Sequence, residues 1–175
     1  MTGAQVRRAA AADAAMLAAL AERTFRDTFA AVNTPRNMAA HAAASYGADK
    51  QLAEIEAEQI RTLLVEDGGI VAGYAQLRLG AAPDCVNAQA AVELWRFYID
   101  RGWIGRGLAP RLMDAVVAEA IALGARTLWL GVWERNPRAI AFYRKCGFVD
   151  VGAHVFRLGD DAQTDRIMRR ELRIS

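Results

Sequence analysis

The chain has 175 residues, of which 54% are hydrophobic and 24% charged, and its formal net charge is +2. This balance excludes a disordered chain and leaves room for a sizeable core in one domain over residues 1–175. The small net charge disfavours a nucleic-acid partner, no apolar run reaches membrane-spanning length, and Cys85 and Cys146 are too few for a disulfide framework, so a cytoplasmic protein is expected.

The N-terminal alanines are interrupted by Arg7, Arg8 and Asp13, which is not a secretory signal pattern. Residues 5–9 read as a short strand. Asp13 is placed to cap a helix over residues 14–29, with Met16, Leu17, Leu20, Phe25 and Phe29 as core positions. Asn33-Thr-Pro35 breaks that helix. Thr34 and Pro35 then stand as cap and first residue of a second helix running toward Tyr46. Gly47 ends it, and Asp49 opens a third, short helix to Glu56. The period then changes. Residues 60–66 and 70–79 read as two strands joined by a hairpin turn at Asp67-Gly-Gly69. Residues 80–90 are a loop holding Pro83 and Cys85. The run Ala91-Val-Glu-Leu-Trp-Arg-Phe-Tyr-Ile99 is rich in aromatic and β-branched residues and fits a central strand. A helix is expected over residues 105–123, a strand over 127–133, a helix from Asn136-Pro137 to Gly147, and strands over 148–158 and 165–172. Helices, an antiparallel meander, then alternating strands and helices make a mixed α+β protein. A doubly wound nucleotide fold would alternate throughout and carry its glycine loop in the first unit.

The loop Gly105-Arg-Gly-Leu-Ala109 follows the central strand and opens the long helix. Glycines let backbone approach an anion, and the free N–H groups at a helix start point toward it. Pro110 falls in the first helical turn, where its missing N–H costs nothing. On its own, this loop is equally compatible with a plain structural turn or a dinucleotide-binding unit.

The second motif is Asn136-Pro-Arg-Ala-Ile-Ala-Phe-Tyr-Arg-Lys-Cys-Gly-Phe148, directly after the strand over 127–133. Strand, glycine loop and helix followed by this Asn-Pro motif resemble the GNAT superfamily of acetyl-CoA-dependent N-acetyltransferases, from Ile60 onward. The resemblance implies a mostly antiparallel central sheet of about six or seven strands, flanked by helices and splayed at the acetyl-CoA site. It implies that backbone N–H groups of Gly105, Arg106, Gly107, Leu108 and Ala109 hold the CoA pyrophosphate. The backbone of Phe97, Tyr98 and Ile99 would pair with the pantetheine arm like an added strand. Asn136 would bind pantetheine or cap its helix, and Tyr143 matches the tyrosine that protonates the leaving thiolate. The family's leading Gln or Arg falls on Ile104, a departure for which Arg101 or Arg106 can substitute. Thr24-Phe25, Thr28-Phe29, Asn33-Thr-Pro35, Trp129-Leu-Gly-Val-Trp-Glu134, His154-Val-Phe156, Gly159 and Gln163-Thr-Asp165 are similar to bacterial polyamine N-acetyltransferases of the PaiA type. Homodimers are common in the family, and the C-terminal strands offer edges for pairing.

The implied chemistry is direct attack of a primary amine on the thioester. A tyrosine hydroxyl with an ordinary pKa of about 10 suits protonation of an alkyl thiolate. Glu93, a carboxylate in an apolar strand, is the candidate base, if burial raises its pKa; the other readings are an ion pair with Arg96 or another neighbour, or an anchor for the substrate ammonium. Asp27, Asp84 and Glu134 are lesser candidates for ammonium recognition. Tyr46, Tyr74 and Trp103 are candidates for the acceptor pocket, with core packing the favoured role for Tyr74. His41 and His154 lack metal-ligand spacing, and no metal is expected. Arg138, Arg144 and Lys145 fit either the CoA 3′-phosphate or a solvated face. Neither cysteine has the surroundings of a nucleophile. The expected partners are acetyl-CoA and a small amine, with a polyamine first. Alternatives are a protein N-terminus, a lysine or an antibiotic as acceptor, or a CoA-binding regulatory module without turnover.

Overall fold

A computed structural model describes residues 3–174. The sheet has seven strands: β1 (Gln5–Arg8), β2 (Ile60–Asp67), β3 (Ile70–Arg78), β4 (Ala91–Ile99), β5 (Thr127–Trp133), β6 (Val149–Leu158) and β7 (Asp161–Glu171). The helices are α1 (Ala14–Phe29), α2 (Pro35–Ser45), α3 (Ala48–Glu56), α4 (Leu108–Ala122) and α5 (Pro137–Lys145). The spatial order is β1-β2-β3-β4-β5-β7-β6, and every pairing is antiparallel except β4 with β5. The mixed α+β class and the strand number expected from the sequence are both present.

Local chemistry sets most boundaries. The Thr34 hydroxyl accepts the Asn37 N–H at 3.2 Å, and Pro35 opens α2. Asn136 accepts the Ala139 N–H at 3.1 Å ahead of Pro137, giving α5 the same start. Asp13 is a correction: it does not cap α1. The chain enters α1 through a 3-10 turn (Ala11–Asp13), and the Asp13 carboxylate turns back to accept the Ala10 N–H at 2.7 Å. Arg7 on β1 holds that carboxylate at 2.8 Å and keeps it well below the usual carboxylate range. One strand start and one helix start also move. β7 begins at Asp161 rather than 165, because residues 161–164 pair with β6. α4 begins at Leu108, leaving Gly105 and Gly107 in left-handed backbone ahead of it.

The sheet is covered on both faces. Leu112 and Val116 of α4 and Phe142 and Tyr143 of α5 pack on one face, against Leu94, Leu128 and Leu130. Leu17, Leu20 and Phe25 of α1 and Met38 of α2 pack on the other, against Leu64 and Tyr74. β4 and β5 pair at only three positions, Ala91–Glu93 with Thr127–Trp129. Beyond Glu93, β4 stays with β3 and β5 stays with β7 along its whole length. The sheet therefore splits like a V.

β4 is pinned on its β3 side by a close approach. Gly73 on β3 lies opposite Ile99, and a Cβ there would come within 2.6 Å of the Tyr98 carbonyl oxygen and 2.7 Å of Ile99 Cδ1. Backbone cannot yield as a side-chain tip can. Gly73→Ala should therefore lower the unfolding free energy by about 1–3 kcal/mol, read as a lower denaturant midpoint at unchanged m-value. A midpoint matching the parent would show that β4 is not held by this contact.

Candidate active site

The V between β4 and β5 opens a cleft of about 1170 Å³. Residues 94–99 of β4 all line it, as expected for a strand edge left without a partner. That edge presents backbone donors and acceptors to an extended ligand arm. β4 also carries a bulge: Gln76 pairs with Arg96 and Leu77 with Leu94, so Trp95 is the extra residue. Its indole lies between two guanidiniums, Arg96 at 3.7 Å and Arg78 at 4.1 Å.

One end of the cleft is built for an anion. Gly105 and Gly107 have φ of +84° and +78°, which side-chain-bearing residues rarely adopt. Gly107 leads into α4 with no side-chain cap, so the first N–H groups of that helix are free, and Pro110 has none to waste. Gly105, Gly107, Ala109 and Pro110 all border the cleft. Leu108 is buried in the core, leaving only its backbone for a ligand. The two arginines considered as substitutes for the missing family side chain separate here. Arg101 borders the cleft beside Ile104, which is 40% exposed. The Arg106 guanidinium instead sits 4.9 Å over the Trp103 ring and is not among the cleft-lining residues, so its expected ligand contact reduces to its backbone. From α5, Arg138 and Lys145 face the cleft, while Arg144 does not. The expected basic cluster is thus divided between ligand site and solvent.

Tyr143 stands in the same wall. Its ring packs against Phe97, Phe142 and Phe148 at centroid distances of 6.2, 5.6 and 5.8 Å. Burial pushes its phenol well above the usual range, so it remains a hydroxyl donor at neutral pH. Asn136 caps α5 and also borders the cleft.

The opposite face of the cleft carries the carboxylates. Glu93 sits at the point where β4 and β5 part. Both Nε and Nη2 of Arg78 lie 2.8 Å from its Oε2. The ion pair expected with Arg96 is therefore with Arg78, because Arg96 turns to Glu54 and Gln76, each at 2.7 Å. Asp27 on α1 borders the cleft, whereas Asp84 and Glu134 are exposed and outside its lining. Tyr46 lines it, and Trp103 lines it near the glycine loop rather than among the acceptor-side rings. Tyr74 is fully buried in the core. His41 stacks on Phe25 at 4.2 Å, and burial lowers its pKa. Burial raises the Cys146 thiol, and Cys85 is packed against Gly152, which fits neither as a nucleophile.

Sequence reasoning quoted Gly131, His154 and Asp165 only within stretches similar to polyamine acetyltransferases and did not bring them together in the site. All three line the cleft. Asp165 is half-buried, and that burial pushes its carboxyl up to about 6. The available signal was Trp129-Leu-Gly-Val-Trp133, whose alternation places two indoles and a gap on one strand face.

Comparison with known proteins agrees with this geometry. The model of the acetyltransferase (GNAT) family matches residues 19–148. An uncharacterized N-acetyltransferase of Mycobacterium tuberculosis is 39% identical, over 91% of this chain and 98% of its own. A spermine/spermidine N(1)-acetyltransferase of Bacillus subtilis is 31% identical over a shorter stretch, 46% of this chain and 53% of its own. The crystal structure of the PaiA N-acetyltransferase from Thermoplasma acidophilum in complex with coenzyme A superposes with a TM-score of 0.78 at 19% identity, covering 97% of this chain and 99% of that one.

A Cβ at Gly107 would meet no neighbour, so its cost is conformational alone. Gly107→Ala imposes about 1–2 kcal/mol of left-handed strain, which the loop relieves by leaving the anion-binding geometry. Calorimetric titration with CoA should show Kd raised about tenfold. Unchanged affinity would mean that the loop does not hold the phosphates.

Proposed function

The chain belongs to the GNAT family of acetyltransferases, and from that premise we propose that it moves the acetyl group of acetyl-CoA onto a primary amine of a polyamine. Acetyl-CoA-dependent N-acetyl transfer is the family's activity; the acceptor and the residue roles are our reading. The observation that carries it is the composition of the acceptor face. Asp27 and Asp165 supply negative charge there, beside a belt of rings. Phe29 and Trp133 lie 5.2 Å apart, Phe25 and Phe29 4.5 Å, and His41 and Phe156 6.0 Å. Rings and carboxylates together suit a chain of methylenes carrying more than one ammonium. The partial likeness to a spermine/spermidine acetyltransferase supports the same acceptor.

In this reading the glycine loop and the start of α4 hold the pyrophosphate, and the free edge of β4 aligns the pantetheine. That places the thioester between β4 and Tyr143. The amine nitrogen attacks the carbonyl carbon, and β4 backbone N–H groups support the oxygen as it gains charge. The C–S bond breaks, and the Tyr143 hydroxyl gives its proton to the thiolate. Glu93 already has its charge answered by Arg78. It therefore fits holding the apex of the V more than taking a proton.

Thiol release from acetyl-CoA across spermidine, spermine, diamines, amino acids, aminoglycosides and a lysine peptide tests the acceptor. Release should be fastest with the polyamines. Release confined to another amine would replace the acceptor and keep the chemistry. CoA binding without release from any of them would favour the sensor. For the acid, Tyr143→Phe should lower kcat by about 100-fold or more while CoA affinity stays put. Turnover that survives with an unchanged pH profile would remove Tyr143 from that role.

A further inference from the structure

Asp165 is a carboxylate for which the fold supplies no partner. The sheet order places β7 between β5 and β6, so Asp165 pairs in register with Trp133 on one side and His154 on the other. Its carboxylate forms no hydrogen bond or ion pair among the described residues, and His154 acts on it only at longer range. The other cleft carboxylate on the sheet, Glu93, is matched by Arg78, and the guanidinium of Arg96 is matched by Glu54. Of the other cleft cations, Arg101 precedes the glycine loop, Arg138 and Lys145 lie on α5, and Arg135 lies between β5 and α5.

The space in front of Asp165 is made by an absence. Gly131 lies on an inner strand and is nevertheless exposed, because β4 has parted from β5 there. A Cβ on Gly131 would stand 3.3 Å from Asp165 Oδ2 and 3.0 Å from His154 Cε1. Gly131 thus leaves a notch beside Trp133, with the carboxylate at its wall. Across the opening, burial pushes Tyr98 on β4 up to about 12, and the Asp165 charge adds to that rise. Asp165 and β4 residues 94–99 line the same cleft.

We propose that Asp165 receives the ammonium of the acceptor in the Gly131 notch and takes the proton that frees the amine for attack. This rests on the small-amine reading above. The amine nitrogen loses two protons in the reaction. The first passes to the Asp165 carboxylate and on to water. The second leaves the nitrogen of the tetrahedral intermediate and replaces the proton that Tyr143 gives to sulfur, so products are the amide, free CoA thiol and one released proton. A half-buried carboxylate near 6 is ionised at neutral pH yet more basic than an exposed one. The titratable and charged groups sharing its cleft are His154 on β6, Tyr98, Glu93 and Arg96 on β4, Arg78 on β3, Asp27 on α1, His41 on α2, Tyr46 after it, Arg101 ahead of the glycine loop, Arg135 after β5, and Arg138, Tyr143 and Lys145 on α5.

The test uses the best amine of the panel, with thiol release followed from pH 5 to 9. Asp165→Asn should lower kcat/KM for that amine about 100-fold or more, with acetyl-CoA affinity unchanged. The parent's loss of kcat/KM below about pH 6 should vanish in this variant and persist in His154→Gln. Gly131→Ala, which fills the notch and keeps the carboxylate, should raise the amine KM about tenfold with kcat largely kept. Activity of Asp165→Asn within about threefold of the parent, with the acid limb intact, would overturn the proposal. If spermidine turns over equally well in both proteins, Asp165 fails and the polyamine reading stands. If a different amine is the substrate and Asp165→Asn abolishes it, the polyamine reading fails and Asp165 stands. No acceptor anywhere in the panel would overturn both.

Discussion

The parallel ladder between β4 and β5 ends after three residue pairs, and the site exists because it ends there. Each strand is fully engaged on its other side. β5 pairs with β7 along all seven of its residues. β4 is drawn onto β3 by the close approach at Gly73 and by the stacking of Tyr98 on Tyr74 at 5.8 Å. The Trp95 bulge, held between two guanidiniums, turns β4 just beyond the last shared pair. Backbone that parts inside a sheet must find other partners or remain costly. A ligand arm with its own amide groups satisfies that requirement.

Charge is sorted along the same opening. The arginines on the sheet near the apex are neutralised in place, Arg78 by Glu93 and Arg96 by Glu54. The Arg96–Glu54 pair is nearly buried, at 10% and 8% side-chain exposure, and Gln76 completes it. Removing one member would strand the other, which costs far more than the pair contributes. What remains unmatched is divided by position. Cations stand by the glycine loop and on α5, and carboxylates stand on α1 and β7.

Tyr143 shows how packing serves the chemistry. Its ring is fixed among three phenylalanines, so the hydroxyl occupies one place before any ligand arrives. The same burial keeps the phenol protonated. The α5 motif thus supplies a helix cap at Asn136, core contacts through Phe142, and a buried phenol at Tyr143.

Local features of the sequence determined the elements. Thr34-Pro35 and Asn136-Pro137 start helices because a side-chain oxygen and a fixed φ act within a few residues. Gly105 and Gly107 marked the anion loop because only glycine holds that backbone cheaply. Asp13 was misread because its choice between capping α1 and binding Arg7 depends on where β1 lies. Glu93 could be seen as important, but whether its partner was Arg96 or Arg78 depended on the bulge at Trp95. Arg106 stacks over Trp103 instead of lining the cleft for a similar reason. Asp165 was hidden most completely. Its neighbours Trp133 and His154 are brought to it because β7 inserts between β5 and β6. Periodicity says which face of a strand a residue takes, but strand order and register are set by contacts between distant segments, and the acceptor pocket is assembled from those contacts alone.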